Sequence, residues 1–140
     1  MAEMDHLFAY GTLMCEDIMR EISGLRLYHE PGILAGYSRW SVKGEVYPAL
    51  VPDEKGRVEG RVYRDIPESA WARLDRFEGE MYERQLVQIE LKSGMALLAG
   101  TYVARPMFLD QLDKSDWDFP SFLRNGKASF QEHYKGFKSL

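Results

Sequence analysis

From Ile33 to Val103 the chain is written almost entirely in strand-forming segments cut by glycine, proline and short turns. That alternation limits its fold more than any other feature. Ile33–Val42, Tyr47–Val51, Arg57–Ile66, Tyr82–Leu91 and Met95–Val103 each read as strands. Asp53-Glu-Lys-Gly56 reads as a hairpin turn, and Lys92-Ser-Gly94 as another. Gly60 lies inside its strand, where a glycine marks a bulge or a close backbone approach. One helix interrupts the series: Asp65 is placed to cap it, Pro67 and Glu68 open its first turn, and it runs to about Glu78 and stops at Gly79. Ahead of the strands come a short strand, His6–Tyr10, a turn at Gly11, and a helix whose apolar stripe is Met14, Ile18 and Ile22. Thr12 suits its N-cap and Gly24 its C-terminal stop. Behind them, Asp116–Asn125 and Ala128–Phe137 read as helices. Phe130, Tyr134 and Phe137 share one face there, which is core packing or a partner-docking stripe. The expected fold is α+β, a mixed sheet with flanking helices. It forms one domain over residues 1–140, with a helical C-terminal extension from about residue 108 to 140.

Composition removes several function classes. The 140 residues carry a net charge of −4, with acids and bases interspersed. No basic stripe is available for a phosphate backbone, so no nucleic-acid partner is expected. The longest apolar runs, such as Met95–Ala99, fall far short of the roughly 20 residues a membrane span needs, so no membrane partner is expected either. The opening residues MAEMDHLFAYG are acidic where a secretory signal would be basic, and Cys15 has no second cysteine to pair with. Both predict a cytoplasmic protein. His6, His29 and His133 lack metal-site spacing, so no metal is expected.

Chemistry concentrates in two stretches. In LDRFEGEMYER, Glu78 follows Leu74 and Trp71 at the i+4 and i+7 positions, on the apolar face of the helix and at its C-terminal end. Burial and the helix dipole would both raise its pKa toward that of a general base near neutral pH. The other reading is a frayed last turn with Glu78 in solvent or paired with Arg84. In FAYGTL, the turn between strand and helix leaves backbone N–H groups free to meet an anion or an oxyanion. Its alternative is a bare connection. Thr12 has no His or Asp partner in sequence that would make it a nucleophile. Cys15 is a reactive thiol near a helix start or a small core residue. Tyr10 is a pocket wall or a core tyrosine. Tyr82 and Arg84 share one side of a strand; Arg84 meets a substrate carboxylate or a neighbouring acid.

FAYGTL, YPAL at 47–50, VEGRVYRDI at 58–66 and LDRFEGEMYERQLV at 74–87 occur in that order. Together they resemble the gamma-glutamylcyclotransferase-like superfamily, in particular the gamma-glutamylamine cyclotransferases and plant avirulence-induced-gene (AIG2)-like proteins. The resemblance implies a small curled or barrel-like mixed sheet with a cavity at one end. It implies that Tyr10, Gly11, Thr12 and Leu13 line that cavity, with backbone amides on the substrate, and that Glu78 is the acid/base. Thr12 stands where a serine is common. Tyr82 and Arg84, beside the motif, join the expected substrate-binding set. The implied activity needs no cofactor: a gamma-glutamyl amine or peptide is cyclised to 5-oxoproline with release of the free amine, a transferase or lyase type of reaction. A non-catalytic member of the fold, binding a small metabolite or a protein partner in the same cavity, is the rival expectation.

Overall fold

The computed structural model describes residues 5–140; the acidic start, Met1–Met4, lies outside the described residues. The expected strands are present, but two of them merge. Strands β1 (Leu7–Ala9), β2 (His29–Val42), β3 (Pro48–Tyr63), β4 (Tyr82–Leu91) and β5 (Ala96–Ala104) form one sheet, with a short β6 (Leu112–Asp113) added to β2. β1 pairs antiparallel with β3, β3 with β2, β2 with β4 and β4 with β5, and β5 returns to β1 in parallel. The sheet is therefore a closed, mixed, five-stranded barrel. Helices α1 (Glu16–Ser23) and α2 (Glu68–Glu78) flank it.

Period-2 alternation builds two cores from the same strands. On β1, Phe8 points into the barrel with Leu50, Val62, Ile89 and Val103, while Leu7 and Ala9 point outward. The outward face packs beneath the helices with Ile18, Ile22, Trp71, Leu74 and Phe77. Gly60 is a close approach: a Cβ there would overlap the Ala9 carbonyl oxygen and meet the Phe8 ring at 2.8 Å. Its register partner across β2 is Gly32, so two opposed glycines leave room for Phe8 in the barrel.

Local corrections follow from tertiary pairing. Asp53–Gly56 is no hairpin; β3 runs through it, and the register with β2 slips between Ala35 and Tyr37. The Asp53 carboxylate takes bonds from Ser38 Oγ (2.6 Å) and the Lys55 N–H (3.2 Å), turning a turn-like sequence into a kink within one strand. Thr12 caps no helix: it opens a short 3₁₀ turn, Thr12–Met14, and α1 starts after Cys15. Asp65 does not cap α2 either. It adopts φ 57°, and Pro67 takes the cap position without a side-chain bond. The stretch 108–140 contains β6 as well as helices. Its helical arm comprises α3 (Phe119–Ser121), a wide turn (Phe122–Gly126), α4 (Lys127–His133) and a 3₁₀ turn (Lys135–Ser139). The helix expected over Ala128–Phe137 ends at His133 because Tyr134 is extended (ψ 120°). Among the described residues no helix is long and apolar enough to cross a membrane.

Substituting Gly60→Ala is expected to lower unfolding stability by about 2–4 kcal/mol, because β1 must retreat from β3. Urea denaturation reads this as a lower midpoint with an unchanged slope. A wild-type midpoint would show that β1 is not held at that distance.

Candidate active site

α2 delivers one carboxyl group to the end of the barrel. Trp71 and Leu74 seat the helix, and Glu78 continues their face to the last helical position. Gly79 then takes φ 78°, which a side chain would resist, and its N–H closes the last turn on the Asp75 carbonyl (3.1 Å). Glu78 keeps partial exposure at the helix end while its carboxyl is withdrawn among aromatic rings. That desolvation, reinforced by the negative charge of Asp75 one turn earlier, pushes its pKa up to about 8. None of the described hydrogen bonds or ion pairs ends on the Glu78 carboxyl oxygens.

The cavity it enters is narrow, with a volume of about 30 Å3. It opens where the two cores meet: Phe8 and Tyr10 belong to the barrel interior, Phe77, Tyr82 and Tyr102 to the helix side. The loop Tyr10-Gly11-Thr12-Leu13 lines the same cavity. Its carbonyl groups are all occupied. Arg39 Nη1 donates to Tyr10 O (3.0 Å), Met14 N to Gly11 O (3.0 Å), Cys15 N to Thr12 O (3.1 Å) and Tyr63 Oη to Leu13 O (2.7 Å). Arg61 Nη1 holds the next carbonyl, that of Met14 (2.5 Å). By contrast, none of the described hydrogen bonds uses the N–H of Gly11, Thr12 or Leu13. A peptide segment anchored by every carbonyl presents its free amides in fixed positions.

The tyrosines of the wall are structural donors. Tyr10 Oη donates to Tyr102 O, Tyr82 Oη to Pro48 O and Tyr102 Oη to an Asp75 carboxylate oxygen, each at 2.7 Å. Burial, with the Glu78 charge as a further cause, holds all three phenols above their ordinary pKa. They stay neutral. Among the described residues no group of three or more His, Cys, Asp or Glu is arranged to hold a metal.

Of the residues expected from sequence, Glu78, Tyr10, Gly11, Thr12, Leu13 and Tyr82 therefore share one cavity. Arg84 does not. It pairs with Asp75 (3.3 Å) and lies over the Trp71 ring at 4.5 Å, outside the lining. Cys15 is buried at the start of α1, and burial pushes its thiol up, the reverse of activation. Tyr47 and Tyr102 were not singled out from sequence, although YPAL held the signal for Tyr47. Asp75 was also passed over; its i−3 spacing from Glu78 on one helix was the available clue. Arg39 and Arg61 act through long-range bonds that leave no local trace.

The fold and the cavity define a class: small closed barrels with one desolvated carboxyl facing a loop of free amides at one end. The gamma-glutamyl cyclotransferase, AIG2-like family model matches residues 7–119, and the chain belongs to that family. It is similar to AIG2-like protein D of Arabidopsis thaliana, with 36% identity over 98% of this chain and 86% of the relative. The solution structure of another Arabidopsis thaliana protein superposes with a TM-score of 0.69 at 28% identity, covering 96% of this chain and 91% of that one. The crystal structure of an AIG2-like protein from Mus musculus gives a TM-score of 0.63 at 24% identity, covering 84% and 90%, a likeness of fold alone.

The raised carboxyl pKa has a consequence for stability. Between the unfolded value, near 4.5, and about 8, the folded state holds a proton that the unfolded state has released. Glu78 therefore subtracts stability as pH rises through that window, fully above pH 8 and not at all well below 4.5. Glu78→Gln is expected to be more stable than wild type by about 1–3 kcal/mol at pH 8, with the gap closing toward pH 4.5; partial exposure keeps it below the full linkage value. Thermal melts across that range check it. Substituting Arg84→Met should instead lower stability, by about 1 kcal/mol, through the lost ion pair and ring contact.

Proposed function

We propose that the protein is a gamma-glutamyl cyclotransferase with Glu78 as its general acid/base. The observation that carries the reading is the desolvated Glu78 carboxyl in the same cavity as the loop whose Gly11, Thr12 and Leu13 amides take no described hydrogen bond. A gamma-glutamyl compound brings its own nucleophile, the α-amine, which needs only to be folded onto the γ-carbonyl. Glu78 takes a proton from the α-amino group as its nitrogen bonds to the γ-carbon. It returns that proton to the leaving nitrogen as the old amide bond breaks. The products are 5-oxoproline and a free amine, and the carboxylate is regenerated. A carboxyl group poised near 8 is a better match to an amine than an ordinary glutamate is, and such help is worth roughly 10²–10⁴-fold. The loop amides would hold the α-carboxylate or the developing oxyanion, with a donor to the oxyanion worth ~3–4 kcal/mol. Tyr10 and Tyr82 contribute as walls, since their protons are already given to backbone carbonyls.

A panel of gamma-glutamyl amides and dipeptides, scored for 5-oxoproline, tests the assignment. With the best substrate, Glu78→Gln should lose on the order of 10²-fold or more in kcat. The wild-type kcat should rise with pH, half-maximal at about 8 and levelling off above it, the ionised carboxylate being the active form of the base. Full turnover by Glu78→Gln, or release of free glutamate instead of 5-oxoproline, would sink the reading.

A further inference from the structure

The Tyr10 carbonyl and the Gly11 N–H belong to one planar trans peptide, so they point to opposite sides of the chain. Whatever fixes the carbonyl therefore aims the amide. Arg39, on β2, is that group: its Nη1 donates to Tyr10 O at 3.0 Å. A guanidinium on the carbonyl oxygen also draws charge across the peptide, which makes the opposite N–H a stronger donor. Gly11 is pressed against Pro48 as well, since a Cβ there would meet the proline ring at 2.9 Å. Arg39 itself is not among the residues that line the cavity.

A segment remote in sequence holds Arg39 in turn. Asp116 accepts from its Nε (3.2 Å), and its guanidinium carbon lies over the Trp117 ring at 5.5 Å. These contacts use Nε, Nη1 and the cation at once, which a lysine ammonium on a single nitrogen does not reproduce. The Arg39 side chain is 15% exposed and that of Asp116 75%, so the withdrawn member of the pair is the one that reaches the loop. Asp116 and Trp117 lie outside any helix or strand and are fixed by their own bonds. Asp116 Oδ1 accepts the Trp117 N–H (2.9 Å), and the indole Nε1 of the buried Trp117 donates to Val46 O (2.7 Å). The pattern repeats at the far end of the loop. There Arg61 donates to Met14 O and lies over the Phe119 ring at 5.6 Å. Two arginines, each set by an aromatic ring from residues 117–119, thus bracket the loop.

We propose that Arg39 is a positioning residue: held by Asp116 and Trp117, it sets the direction and the donor strength of the Gly11 N–H that meets an anionic group of the substrate. This rests on the cyclotransferase reading. It deepens that reading by assigning control of the loop to a residue outside the cavity lining.

Amide NMR of the full chain without ligand reads the aiming directly, because the bond at Tyr10 O moves the Gly11 amide resonance whatever the activity. Arg39→Met is expected to shift the Gly11 amide upfield in both dimensions, while the amide of Gly94, in the turn between β4 and β5, stays in place. Arg39→Lys, which keeps the charge, should shift it less. Asp116→Ala should shift it in the same direction as Arg39→Met and by a smaller amount; because Asp116 is exposed, this variant keeps the test open if Arg39→Met fails to fold. The second readout is 5-oxoproline release from gamma-glutamyl-ethylamide and gamma-glutamyl-alanine, at temperatures where melts show each variant folded. For whichever compound the wild type turns over, kcat/KM should fall on the order of 10-fold or more in Arg39→Met and less in Arg39→Lys. A loss of stability alone would move neither the Gly11 resonance nor the order of the two variants. An unmoved Gly11 resonance in the Arg39 and Asp116 variants overturns the proposal, as does a moved resonance with wild-type kcat/KM. A moved resonance in a chain whose wild type releases 5-oxoproline from neither these two compounds nor the wider panel upholds the aiming of the amide and overturns the cyclotransferase reading.

Discussion

Leu7–Ala9 bonds to β3 on one side and to β5 on the other, and through this short strand the barrel closes. Everything at the cavity end depends on that closure. The strand is too short to hold itself by pairing alone, so it is fixed from both faces, by Phe8 inside and by Leu7 and Ala9 beneath the helices. The Thr101 hydroxyl adds a bond to the Phe8 carbonyl (2.9 Å). Past Ala9 the chain leaves the sheet, and the barrel rim sets where Tyr10–Leu13 begin. A small retreat of β1 would carry the whole loop with it. That is why Gly60, which lines no part of the cavity, bears on its geometry.

The second constraint is the desolvation of one carboxyl at the negative end of a helix. Nothing in the described hydrogen bonding offsets it, and Asp75 makes it worse. Asp75 itself is compensated, by Arg84 and by the Tyr102 hydroxyl. Two acids one turn apart on α2 thus have different surroundings: one is paired at the edge and one lines the cavity with no described protein partner. A carboxyl whose pKa is raised by burial in a cleft is a candidate for an acid–base role.

How much of this could be read from the residues follows the range of the interactions. Period and punctuation sufficed for the strands, for the end of α2 at Gly79 and for the stop of α1 at Gly24, because each is decided by local backbone preference. The strand positions of Asp53–Gly56 could not be read so, since a kink and a hairpin share the same turn chemistry. The choice between them is made by β2, which pairs with both flanks. Thr12 and Asp65 looked like caps for the same reason, but each lies at a junction whose path is set by packing. Motif order placed Glu78 beside the loop, while only the folded chain separates Arg84 from them. In strand β4 Tyr82 and Arg84 do share a side, yet two residues along that strand is far enough to leave the cavity and reach Asp75 instead.

The loop and the arm solve opposite problems on either side of Glu78. The loop must expose polar backbone in an apolar surrounding, and it does so by tying down carbonyls from outside with Arg39, Arg61 and Tyr63. The arm must hide backbone, and Tyr134 does so by covering the open carbonyl of Glu78 with its hydroxyl while its ring meets Phe77 and Tyr47. One side is left hydrogen-bond-donating and the other is made inert. The cavity is thus lined by backbone donors on the loop side and by aromatic rings on the arm side. With the nearby arginines turned to carbonyls and to acids outside it, the cavity keeps Glu78 as its one carboxyl group among the described residues.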